Sequence, residues 1–81
     1  MNQQLPFILS FYNSELVKKI STKFNIDQMD ALRRFLFSKT YQMLADERLE
    51  MWEYSPIGIF DMWETEQVTG DPRNSLYIRR D

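Results

Sequence analysis

Seven carboxylates fall between residues 46 and 66: Asp46, Glu47, Glu50, Glu53, Asp61, Glu64 and Glu66. Asp61 and Glu64 are three residues apart and would share one face of a helix, the arrangement that an acid–base pair or a hard-cation site requires. Any solvated helix face shows the same spacing, and the sequence favours that plainer reading. The chain contains no histidine and no cysteine. This removes the Ser–His and Cys–His pairs of nucleophilic catalysis and the ordinary ligands of zinc. Ser38 and Lys39 remain as a hydroxyl beside an amine, but adjacent residues on a helix point apart. The stretch TGDPRNS, Thr69 to Ser75, gathers polar groups as an anion loop would. A phosphate loop needs several glycines and a following helix N-terminus, and neither is present, so the stretch reads as a cap and a turn. The side-chain inventory therefore predicts a protein that is not an enzyme and has no catalytic, cofactor or metal site.

Binding chemistry has more to work with. The stretch ELVKKISTKFNIDQMDALRRFLF has the layout of a helix, a short turn and a second capped helix, and carries Lys18, Lys19, Lys23, Arg33 and Arg34. That is compatible with a small DNA-binding regulator of the helix-turn-helix kind. Against it stand the net charge of −2 and a second helix poor in side chains suited to reading base edges. Aromatic residues make up 15% of the chain, a large share for its size, and large rings dominate protein–protein contacts. Trp63 is expected in the core, whereas Trp52 is as easily core as surface. Protein docking is the favoured reading, with Trp52, Tyr54, Tyr77, Ile78 and Arg79 as the partner-binding residues.

These residues must be carried by helices. Pro6 suits the start of a first helix, in which Phe7, Ile8, Phe11, Leu16, Ile20 and Phe24 recur at helical spacing until about Asn25. Asp27 is an N-cap, with Asp30 three residues on as a variant capping box and Ile26 and Ala31 in staple positions. Leu32, Phe35, Leu36, Met43 and Leu44 continue that second apolar face. Ser38-Lys39-Thr40 leaves open whether one helix or two run to Ala45, because Ser and Thr compete for backbone hydrogen bonds. DERLEMWEY is either a helical turn or an extended link that turns Leu49, Met51 and Trp52 inward. Ser55 as N-cap and Pro56 at the first helical position open a last helix, with Tyr54 and Ile59 in staple positions and Ile59, Phe60 and Trp63 facing inward. Gly58 in its first turn offers room for another backbone. Gly70 ends this helix in the left-handed region, and Asp71-Pro72 keeps it from restarting. Residues 70–81 are predicted as a turn and an extended arm.

At 81 residues the chain makes one domain, near the lower end of what folds alone. Without cysteine it has no disulfide to staple it, which fits a cytoplasmic setting. The short apolar run Leu5–Leu9 lacks a basic flank and is not read as a signal peptide, and no stretch is long enough to span a membrane. A homo-oligomer is expected, since a second chain would cover apolar surface that so small a core leaves out. Charge is segregated: residues 1–41 balance to +3, residues 42–70 to −6 and residues 71–81 to +1. Opposite faces could thus meet within the chain or between chains.

With these residues in view, the last two-thirds or so of the chain, from Ala31 to Asp81, resembles an uncharacterised family of short gut-bacterial (Firmicutes-type) proteins. The shared pattern is Ser38-Lys39-Thr40-Tyr41, Met43-Leu44, Asp46-Glu47, Trp52 and Ser55-Pro56. Such proteins are often encoded beside toxin-like partners, so the resemblance implies an antitoxin or accessory role and names no active residue. The combined expectation is an all-α bundle of three to four helices with an extended C-terminal arm, acting as a non-enzymatic protein–protein interaction module.

Overall fold

A computed structural model describes residues 5–75. It contains four α-helices: α1 (Leu5–Phe24), α2 (Gln28–Leu36), α3 (Lys39–Leu44) and α4 (Pro56–Thr69). Three 3₁₀ turns at Glu47–Leu49, Met51–Glu53 and Pro72–Asn74 complete the order, and no strand occurs among the described residues. The protein is a small all-α globule.

The longest helix organises the rest. Tyr12, Leu16 and Ile20 of α1 are buried; four apart, they lie along a single face of the helix. The sequence placed Phe7, Phe11 and Phe24 on the inward stripe. The structure exposes them by 80%, 53% and 44%. For Phe7 and Phe11 the reason is register: their line runs on into Glu15 and Lys18, whereas the line through Tyr12 meets the other helices. Phe24 continues the buried line but is the last residue of α1, with one edge on Trp63. Asn25 ends α1 with φ of 53°. The Ile26 N–H then reaches back to the Ser21 carbonyl at 3.2 Å, a Schellman closure that satisfies an otherwise orphaned acceptor.

Asp27 caps α2 by accepting from the Met29 N–H at 3.0 Å. Asp30 does not complete the box; its carboxylate faces Arg33 of the same helix at 3.4 Å. Ala31 and Phe35 are the fully buried residues of α2, and complete burial of a ring such as Phe35 contributes about 1.5–3 kcal/mol. Two helices, not one, follow Asp27. Ser38 breaks the run by donating to the Phe35 carbonyl at 2.6 Å and accepting from the Tyr41 N–H at 3.0 Å, which makes it the N-cap of α3. DERLEMWEY becomes two 3₁₀ turns hinged at Glu50, whose φ is 50°. Met51 is buried there as predicted, but Leu49 points outward and is 44% exposed.

Ser55 caps α4 by accepting from the Gly58 N–H at 3.2 Å, with Pro56 at the first helical position. Gly58, Ile59, Met62 and Trp63 are buried, while Phe60 is half-buried. Gly70 stops α4 at φ of 85°, its N–H donating to the Glu66 carbonyl at 2.7 Å. The chain then doubles back along α4. Pro72 and Ser75 are buried against it, and the Ser75 hydroxyl donates to Asp61 at 2.6 Å. Among the described residues no helix is long and apolar enough to cross a membrane.

Candidate interaction surface

The carboxylates of α4 are taken up by the fold. Asp61 accepts from Ser75, and Glu64 pairs with Lys23 of α1 at 2.5 Å. Glu66 receives the Lys39 N–H, the Thr40 N–H and the Thr40 hydroxyl at 2.8–2.9 Å. A carboxylate at the start of α3 satisfies donors that the helix cannot satisfy itself and meets the positive end of its dipole. Asp61 and Glu64 thus serve different neighbours and do not converge. Ser38 and Lys39 diverge too, the Lys39 ammonium donating to the Gly70 carbonyl at 2.9 Å. Among the described residues no three metal-ligating side chains gather. In TGDPRNS, Asp71 accepts from the Arg73 N–H at 2.9 Å, which makes the stretch a turn.

The predicted nucleic-acid residues form no continuous basic face. Lys18 lies 3.7 Å from Glu15, Lys23 sits on Glu64 and against the Phe60 and Phe24 rings, and Arg33 is beside Asp30. Three of the five cations therefore have an acid at hand.

The aromatic residues divide clearly. Trp63 is core, 2% exposed, edge-on to Phe24 at 5.7 Å and stacked with Phe60 at 6.4 Å. Its indole N–H has no hydrogen-bond partner among the described residues. Trp52 is half-buried beside α1. The Tyr12 hydroxyl donates to the carbonyls of Trp52, at 2.9 Å, and Tyr54, which ties the 3₁₀ segment to α1. Burial pushes the Tyr12 phenol above its ordinary pKa of 10.0. Outside this joint, Phe7, Ile8, Phe11, Tyr12 and Trp52 line an apolar groove of about 440 Å³. The Phe11 ring packs edge-on to Tyr12 at 5.6 Å.

Of the predicted partner-binding residues, Trp52 reaches this groove, whereas the half-buried Tyr54 lines a different one with Leu49, Glu50 and Glu53. Tyr77, Ile78 and Arg79 lie outside the described residues. Helical spacing assigns Phe7 and Phe11 to the core stripe, whereas both lie at the surface. The signal available was the charge three to four residues beyond Phe11, at Glu15 and Lys18. The chain matches no protein-family model, no curated protein and no solved structure.

Proposed function

We propose that the chain is a non-enzymatic protein–protein interaction module, and that the groove of Phe7, Ile8, Phe11 and Trp52 docks a second copy of itself. The observation that carries this reading is the 80% exposure of Phe7 at the rim of an apolar groove. A knob beside a hole on one surface is self-complementary under a two-fold axis: the Phe7 ring of each copy fills the groove of the other. Among the described residues no charged side chain lines the groove. A buried aromatic ring removes ~150–250 Å² from water; a few such rings per copy fall short of the ~800 Å² per partner of a standard interface. The dimer is therefore weak and concentration-dependent. In the antitoxin or accessory role that the resemblance implies, the dimer would be the form that meets a co-encoded partner. DNA binding draws less support, because most of its cations are paired with acids.

Sedimentation equilibrium of the wild type, Phe7→Glu and Phe37→Glu tests this. Phe37 is 84% exposed at the corner between α2 and α3 and serves as the control. Dimer loss in Phe7→Glu alone supports the reading. A wild type that stays monomeric at millimolar concentration overturns self-association and leaves a heterologous protein as the groove's occupant.

A further inference from the structure

A second surface, independent of that groove, lies where the described chain ends. The turn Pro72–Asn74 runs back along α4 from Gly70, and by Ser75 it stands beside Asp61. Between Thr69 and Asp61 a helix rises about 12 Å, so the return travels toward the N-terminal end of α4. Asp71, Pro72 and Arg73 share a cleft of about 320 Å³ with Asp46, Leu49 and residues of α3. Leu49 in turn belongs to an adjoining groove of about 480 Å³ lined by Leu49, Glu50, Glu53 and Tyr54. Leu49 lines both hollows, so they adjoin along the path from Arg73 to Glu53, with Glu47 on the 3₁₀ turn that ends at Leu49.

Six residues remain beyond Ser75: Leu76, Tyr77, Ile78, Arg79, Arg80 and Asp81. Fully extended, they span about 20 Å, whereas Asp61 and Ser55 are separated by only about 9 Å of helix. Their order matches the path: apolar residues first, where Leu49 is 44% exposed, and two arginines after them, where Glu50 and Glu53 are exposed. The geometry points to the Leu49–Tyr54 groove as the docking site of this chain's own C-terminal segment, with Leu76 and Ile78 against Leu49 and the Arg79–Arg80 pair on Glu50 and Glu53. A single exposed ion pair is weak and screened by salt. Here the segment is tethered a few residues from its site, so docking is intramolecular and favoured by a high effective concentration. The buried Pro72 and Ser75 fix the point of departure.

The absence of cysteine allows a single probe. A nitroxide on Asp81→Cys, with amide spectra of the ¹⁵N-labelled chain at low salt, reads the position of the segment. The expected result is loss of most peak intensity at Leu49, Glu50, Glu53 and Tyr54, with Gln67–Thr69 at the other end of α4 little affected. Adding Glu50→Gln and Glu53→Gln, both on exposed residues, should restore those peaks, as should high salt. Uniform weak broadening, broadening centred on α2 or on the Phe7 groove, or broadening seen only in mixtures of spin-labelled and ¹⁵N-labelled chains would each overturn the assignment.

Discussion

Tyr12 shows how much one hydroxyl can do in a small fold. Its donor is shared between the carbonyls of Trp52 and Tyr54, so the irregular segment is held to α1 by backbone acceptors. Nothing in the sequence marks those acceptors, because every residue carries a carbonyl, and Tyr12 was therefore not legible as a joint. Tyr12→Phe keeps the ring and removes the donor. The expected cost is about 1–3 kcal/mol, from lost bonds and poorly satisfied carbonyls, read as a lower urea midpoint at unchanged slope. The raised phenol pKa fixes a sign as well. Its stabilisation is fully present below the unfolded value near 10.0 and is lost as pH rises through the higher folded value. The wild type should thus weaken in alkali more than the Phe variant, by urea titration at successive pH values. Asp46 gives the opposite case. Hydrogen bonds from the Arg48 side chain and from its N–H hold the Asp46 carboxyl below its ordinary 3.8. That contribution exists above the ordinary value and disappears as pH falls through the lower folded one. Carbon-detected titration should show a depressed midpoint in the wild type and a higher one in Arg48→Ala.

At the scale of elements, local signals were read well and remote ones were not. Asp27, Ser55, Pro56 and Gly70 mark helix ends through chemistry within a few residues of the boundary, and each stands where the sequence placed it. The sequence leaves the break before α3 open because half of its cap comes from Glu66, 26 residues from Thr40. A six-residue helix has too few hydrogen bonds to offset its own nucleation. Its persistence rests on Ser38, on Glu66 and on the burial of Thr40 and Leu44. Glu66→Ala should cost about 1–3 kcal/mol, combining a lost cap with lost charge-assisted bonds. Hydrogen exchange at Tyr41–Leu44 should quicken more than in α1, and Glu66→Gln, which keeps one acceptor, should fall between. Equal acceleration throughout the chain would place Glu66 in global stability alone.

At the scale of the molecule, the all-α class was legible because four stretches each carry helical periodicity or caps, whereas the exposure of Phe7 and Phe11 was not. Which line of α1 turns inward, Phe7–Phe11 or Tyr12–Leu16–Ile20, depends on where α2 and α4 pack, and periodicity in α1 alone leaves both open. The charge segregation resolves mostly into local pairs, with Lys23–Glu64 joining the basic and acidic halves. Net stability for a chain of this length is roughly 4–12 kcal/mol, so association contributes a visible fraction of it. If two copies exchange Phe7 rings, the native state gains stability by mass action and its melting temperature rises with protein concentration. Phe7→Glu should abolish that rise. The monomer itself should lose little, because a change at so exposed a site is usually within about 0.5 kcal/mol and an acid near a helix N-terminus is favourable. Calorimetry over a hundredfold range of concentration separates the cases. A wild-type melting temperature that climbs, beside a flat Phe7→Glu, places the exposed ring in the dimer. Parallel flat lines would mean that the ring stays uncovered by its own kind, and that the groove awaits a different protein.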